Sequence, residues 1–224
     1  MTLSWTKLLI TSALLLSLSH AVPYAPMNID QLLIKKEQGA TINLQYLQDR
    51  IAELSKNAGT YPTQFDSEAD KAEAAKEAQV LLEIAKTITE ASDEPSTLYL
   101  SMQIARIGHN LDIKGSAEQA ISYADRFIEK TPDDSTGYFF MGAFLSESGK
   151  IKEGRPYLDK ALELGNEAAR WSIAMSYLFE GNTEEALKEL KLYQKSYPND
   201  PRAKQLIEAI NSGKLELKSS DAMQ

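Results

Sequence analysis

Apolar residues recur at helical spacing along most of this 224-residue chain. Ile42, Leu44, Leu47, Ile51 and Leu54 fall on one face of a helix that runs to about Lys56. Leu81, Leu82, Ile84 and Ile88 mark the second half of a longer helix over about 67–91, whose first half is mostly Ala, Glu and Lys. Ala203, Leu206, Ile207 and Ile210 set the same stripe on a polar helix over 202–211. Asn28 with Gln31 has the spacing of a capped start and predicts a short helix to about Glu37, broken by Gly39. The stretch from Gly59 to Asp66, with Pro62 and two aromatics, reads as a loop. Pro95 closes the 67–91 helix, and Ser96 is placed to cap the next. Valine occurs only twice while strong helix formers dominate, so the prediction is an all-α chain.

Between 96 and 200 the pattern repeats. Gly115, Gly149 and Gly181 lie 34 and 32 residues apart, each shortly after an apolar helical run. Seven residues before each stands a small residue (Gly108, Gly142, Ala174), and five after each another (Ala120, Gly154, Ala186). Ile107, Met141 and Ile173 precede the first small slot; Leu111, Leu145 and Tyr177 follow it by three. Pro132 and Pro198 close the first and third units, and Asn166 stands near the corresponding end of the shorter middle one. The physical logic is that two antiparallel helices approach closely only where a side chain is absent or small. The turn glycine permits the positive φ that ends the first helix of each pair. Ser116 with Gln119, and Asn182 with Glu185, have capping-box spacing at the second helices.

This register resembles the tetratricopeptide repeat, a helix–turn–helix of about 34 residues. The sequence departs from that pattern at two places. Its Trp near the start of the first helix is replaced by Ile104, Tyr138 and Arg170, and its second-helix aromatic or leucine is Ala124 in the first unit. The resemblance implies an α-solenoid of three such units, with an N-terminal helical cap and a C-terminal capping helix. The 67–91 helix is either part of that N-terminal cap or the second half of a degenerate extra repeat. The expected divisions are a signal peptide over 1–21, an N-terminal helical region over 22–95, the repeat domain with its capping helix over 96–212, and a flexible tail over 213–224.

In such arrays the first helix of each unit lines a concave groove. The register then places Met102, Ala105, His109, Asp112 and Ile113 there in the first unit, and Thr136, Phe139, Ala143, Ser146 and Glu147 in the second. The third supplies Ala168, Trp171, Met175, Leu178 and Phe179, so the groove grows more apolar toward the C-terminus. Phe139, Trp171, Met175, Leu178, Phe179 and His109 are the candidate partner-binding residues, because exposed apolar patches with aromatic anchors mark interaction surfaces. Two segments of the chain itself, the 42–56 helix and the capping helix, are the competing covers for this patch. Ala105, His109, Phe140, Ala168 and Ser172 stand where family members that grip C-terminal carboxylates carry Lys, Arg and Asn, so that clamp is missing.

Charge and chemistry narrow the function further. Lys7 precedes an apolar run from Leu8 to Leu18, followed by Ser19, His20 and Ala21 in the pattern of an export signal cleaved after Ala21. A second possible cut follows Ala25, next to Pro26, and retention of the signal as an anchor is the other open alternative. The run is too short for the ~20 residues of a stable membrane span, and with no cysteine there is no lipid attachment site. Without residues 1–21 the chain holds 23 basic and 32 acidic side chains, a charge of −9 that disfavours nucleic acid. The absence of cysteine and the single His109 past the signal leave no metal or cofactor motif. Asp133–Asp134 and Glu184–Glu185 sit at a loop and a helix start, where acids serve the helix dipole. The reading is a non-catalytic scaffold or adaptor, periplasmic or secreted, that holds a segment of another envelope protein in its groove. The alternative is a helical binding domain for a small apolar ligand or cell-wall fragment; oligomeric state stays open.

Overall fold

A computed structural model describes residues 8–9, 24–37, 39–213 and 218–219. Apart from Leu8 and Leu9, the expected signal peptide lies outside the described residues, as does most of the expected tail. Nine α-helices occur among the described residues, and the fold is an all-α solenoid of adjacent helix pairs. The chain divides between Phe127 and Ile128 into two compact units.

The N-terminal unit contains α1 (Leu44–Ala58), α2 (Glu68–Ala91), α3 (Pro95–Asn110) and most of α4 (Ser116–Lys130). Asn43 caps α1 by accepting from the Tyr46 amide, and Ser67 caps α2 by accepting from Asp70. α1 and α2 both pack on α3. Leu47, Leu54, Leu81 and Leu98 are fully buried, and Asn110 Nδ2 donates to the Ala58 carbonyl at 2.9 Å. α5 and α6 likewise both pack on α7. Arg126 on α4 donates to the Thr89 carbonyl at 2.8 Å and pairs with Asp93, tying α4 to the end of α2.

Two local expectations fail here. Residues 28–37 do not form a helix. Asn28 caps only a 3-10 turn, Ile29–Gln31, after which β1 (Leu33–Lys35) pairs antiparallel with β2 (Ala40–Ile42) in a hairpin turned by Gly39 at φ 89°. Contiguous Leu32, Leu33 and Ile34 give no helical stripe, whereas the positive-φ glycine and β-branched Thr41 and Ile42 suit a hairpin. The next helix, moreover, starts at Pro95 rather than after Ser96, because proline's missing N–H costs nothing in a first turn.

The C-terminal unit contains α5 (Ser135–Glu147), α6 (Ile151–Glu163), α7 (Ala169–Phe179), α8 (Thr183–Ser196) and α9 (Pro201–Asn211). Residues Lys218–Ser219 pair antiparallel with Leu8–Leu9. Gly149 and Gly181, at φ 80° and 76°, end α5 and α7. The following amides, Lys150 and Asn182, close back on the carbonyls of Leu145 and Tyr177 at 2.8 Å each. Asn182 caps α8 as expected by accepting from the Glu185 amide.

The first predicted repeat closes differently. Asp112, at φ 61°, ends α3, and Ile113 N–H bonds the Gly108 carbonyl at 2.9 Å. Gly115 sits three residues on, inside an enlarged turn, and Ser116 donates backward to the Ile113 carbonyl instead of capping α4. Counted from the residue that ends each first helix, Ala105 is therefore in line with Gly142 and Ala174. Gly108 is itself a close approach, since a Cβ there would meet Leu82 Cδ1 at 2.9 Å and Ser116 Cβ at 3.0 Å. The residue before each of the aligned three is Ile104, Met141 or Ile173, and each is at most 2% exposed.

Candidate functional site

The groove residues of the C-terminal unit are positioned by α5 and α7, and their fates differ by position. Ser146 and Leu178 occupy equivalent places, three residues before Gly149 and Gly181. A Cβ on Gly154 of α6 would meet Ser146 Oγ at 2.7 Å, so this position faces the partner helix. Leu178 likewise packs with Ala186 and Leu190 of α8 and Leu206 of α9, and is 2% exposed. Leu178 is thus a core residue and not part of an open groove. Corrected by the three-residue shift, His109 takes the same position on α3, and it too is buried, at 8% exposure. His109 belongs to the N-terminal unit and the other five candidates to the C-terminal one.

Phe139 and Trp171 are equivalent to each other, ten residues before their turn glycines, and both are half-buried. Phe139 packs against the cluster of Leu158, Ala161, Ala169 and Ile173. Trp171 and Met175 pack against the cluster that holds Leu178, Leu190 and Leu206. Tyr177 touches both clusters. Each aromatic therefore seals the joint to the following helix and is itself only partly covered. At Trp171 the seal is reinforced: its ring lies 5.6 Å from that of Tyr193, and the Arg202 guanidinium sits 4.8 Å above it. Arg202 is held by Asp200 at 2.6 Å, and Tyr193 donates to the same carboxylate at 2.7 Å. The bond from Arg202 keeps the Asp200 carboxyl well below the usual range, while burial and the bond to Asp200 push the Tyr193 phenol up.

Phe179, half-buried at the end of α7, lines a cleft of about 540 Å³ with Gly149, Lys150, Ile151, Lys152, Glu153 and Glu180. Phe179 and Ile151 are its apolar residues, and the others are a glycine and charged side chains. The structure therefore brings Trp171, Met175 and Phe179 together on one helix, all three half-buried, and places Phe139 at the neighbouring cluster. Arg170, one of the departures from the repeat pattern, bridges Glu167 at 2.6 Å and Glu189 of α8 at 2.8 Å. No group of three or more metal-ligating side chains occurs among the described residues, and no helix among them is long and apolar enough to cross a membrane.

The most exposed apolar side chains lie elsewhere and were missed by the helical reading. Ile29, Leu33, Ile34 and Leu44, between 48% and 58% exposed, surround the β1–β2 hairpin. The available signal was the spacing of Gly39 between two short β-forming runs.

Residues 145–210 match the family model of the tetratricopeptide repeat. Among solved structures, TTC0263, a thermophilic TPR protein of Thermus thermophilus, superposes with a TM-score of 0.52 at 17% identity, covering 75% of this chain and 91% of its own. MamA superposes with a TM-score of 0.46 at 17% identity, covering 65% of this chain and 80% of its own. No curated protein matches the sequence. At 17% identity the likeness to TTC0263 speaks for the fold alone. The match covers the last turn of α5, all of α6, α7 and α8 and nearly all of α9, and it is this part of the chain that is similar to the tetratricopeptide repeat.

Proposed function

We propose that this protein is a non-catalytic adaptor of the bacterial cell envelope that holds an apolar segment of another protein on the α5–α7 face. Phe139, Trp171, Met175 and Phe179 supply the contact. The observation that carries this reading is the row of half-buried aromatic and Met side chains on α7, beside a cleft open at Phe179. Partly exposed aromatics and Met on a rigid helix are suited to anchoring a polypeptide segment. A cleft walled by Lys150, Lys152, Glu153 and Glu180 is a poorer match to a small apolar ligand, which needs an enclosed apolar pocket. The export signal supports the envelope location, and the acidic surface argues against nucleic acid. The repeat domain over 96–212 is the part of the chain assigned to binding.

Replacing Met175 and Phe179 together with Ala tests this without disturbing the Trp171–Arg202 seal. The partner that co-purifies from the host envelope fraction is lost while helix content by circular dichroism is retained. Undiminished co-purification contradicts the assignment of the site.

A further inference from the structure

The N-terminal unit contains a buried ion pair that the repeat pattern does not call for. Arg50 on α1 and Glu77 on α2 are 7% and 5% exposed. The guanidinium meets the carboxylate through two bonds, Nε to Oε1 at 2.8 Å and Nη2 to Oε2 at 2.9 Å. A buried pair is favourable only when its remaining donors and lone pairs are satisfied. Here the satisfying groups come from residues 24–27, which lie in no helix or strand. Arg50 Nη2 donates to the Ala25 carbonyl at 2.8 Å, and the Met27 amide donates to Glu77 Oε2 at 3.1 Å. Tyr24 donates its hydroxyl to the same oxygen at 2.5 Å, and its ring meets Phe65 edge-on at 6.0 Å. Burial, then the bond to Glu77, push the phenol up, so it stays a donor.

Two features set this contact apart from core packing. The pair reads two main-chain groups two residues apart, a carbonyl and an amide, together with one side chain, which is how proteins grip an extended peptide. The two charged side chains also hold each other in place, whereas Ala25 and Pro26 of the strap are exposed. We infer that Arg50, Glu77 and Phe65 form a clamp for an extended, tyrosine-bearing segment of another protein, and that residues 24–27 occupy it in cis as an exchangeable strap. An empty clamp leaves a buried guanidinium and carboxylate short of partners, so it selects a replacement that presents the same phenol, carbonyl and amide. A second copy's strap is too short to serve in trans. It spans about 14 Å at full stretch, and the next amide, Asn28, is tied to Tyr46 Oη at 2.8 Å. The clamp belongs to the N-terminal unit and does not depend on the binding role assigned to the α7 face.

The test uses the full chain and a fluorescent synthetic peptide with the sequence of residues 22–29. Tyr24→Ala weakens the strap. This variant is expected to bind the peptide at least about tenfold more tightly than the wild type, whose tethered strap competes at millimolar effective concentration. The same peptide with alanine in place of its tyrosine is expected not to bind. No binding to a variant of unchanged helix content, equal binding to both chains, or equal binding of both peptides overturns the inference. Hydrogen exchange on the wild type decides it even where the variant does not fold. The Met27 amide is expected to exchange through local opening, at least roughly tenfold faster than the Leu81 amide of α2 and more slowly than a free amide. Exchange as slow as at Leu81 shows a fixed strap, exchange at the free rate shows an empty clamp, and either overturns it.

Discussion

At Gly142 the absence of a side chain is a packing requirement. A Cβ there would meet Leu158 Cγ at 2.7 Å, the Leu158 amide nitrogen at 2.8 Å and the Gly154 carbonyl at 2.9 Å. Two of these three are backbone, which cannot rotate away. Gly142→Leu is expected to cost about 1–3 kcal/mol by overpacking the α5–α6 crossing, measured by denaturant unfolding; a neutral result would mean the crossing lies elsewhere. Asp200 offers a titration test. Its folded pKa is depressed, first by the bond from Arg202, so its contribution is present above the unfolded value near ~4 and is lost as pH falls through that value toward the folded one. The melting-temperature gap between wild type and Asp200→Asn should be open at pH 7 and narrow progressively below about pH 4. A gap independent of pH would show that the carboxylate's charge is not involved. Single residues of this kind were partly legible in the sequence. Gly142 announced itself by recurring in register with Ala174, whereas the burial of Leu178 did not, because its equivalent in the second unit is a serine and no apolar pattern linked the two.

At the scale of elements, α9 acts as the cover of the last helix pair. Leu206, 6% exposed, inserts among Leu178, Ala186 and Leu190, and Ile207 and Ile210 pack alongside. Leu206→Ala should therefore destabilise the C-terminal unit by about 2–5 kcal/mol, read as a lower denaturation midpoint; an unchanged midpoint would mean α9 is not structurally required. The stripe of α9 was readable because a lone amphipathic helix after an array has one available role. The helices over 44–58 and 68–91 were readable for the same reason, periodicity sustained over several turns. The hairpin at 33–42 was not, since three-residue strands are too short to show alternation. The first repeat misled through its turn: three extra residues put Gly115 at the right distance from Gly149 while Asp112 ended the helix. Spacing between glycines measures the unit length and says nothing about which residue takes the positive φ.

The molecule as a whole combines a repeat array with an N-terminal segment strapped to a buried ion pair. Its candidate binding face was legible only as a set of positions. Register identified the aromatic and Met residues of α5 and α7, but the depth of each depends on the following helix, which the pattern of one helix does not encode. Trp171 and Phe139 turned out to seal joints, and Phe179 emerged as the residue beside an open cleft. The central claim is that this α7 face holds another chain. The most direct measurement is photocrosslinking in the native host from a probe at Phe179, with Lys188 on the outer side of α8 as the control. A discrete crosslinked protein from Phe179 and none from Lys188 is the predicted result. Crosslinks from Phe179 only to this chain's own helices, or identical products from both positions, would contradict it.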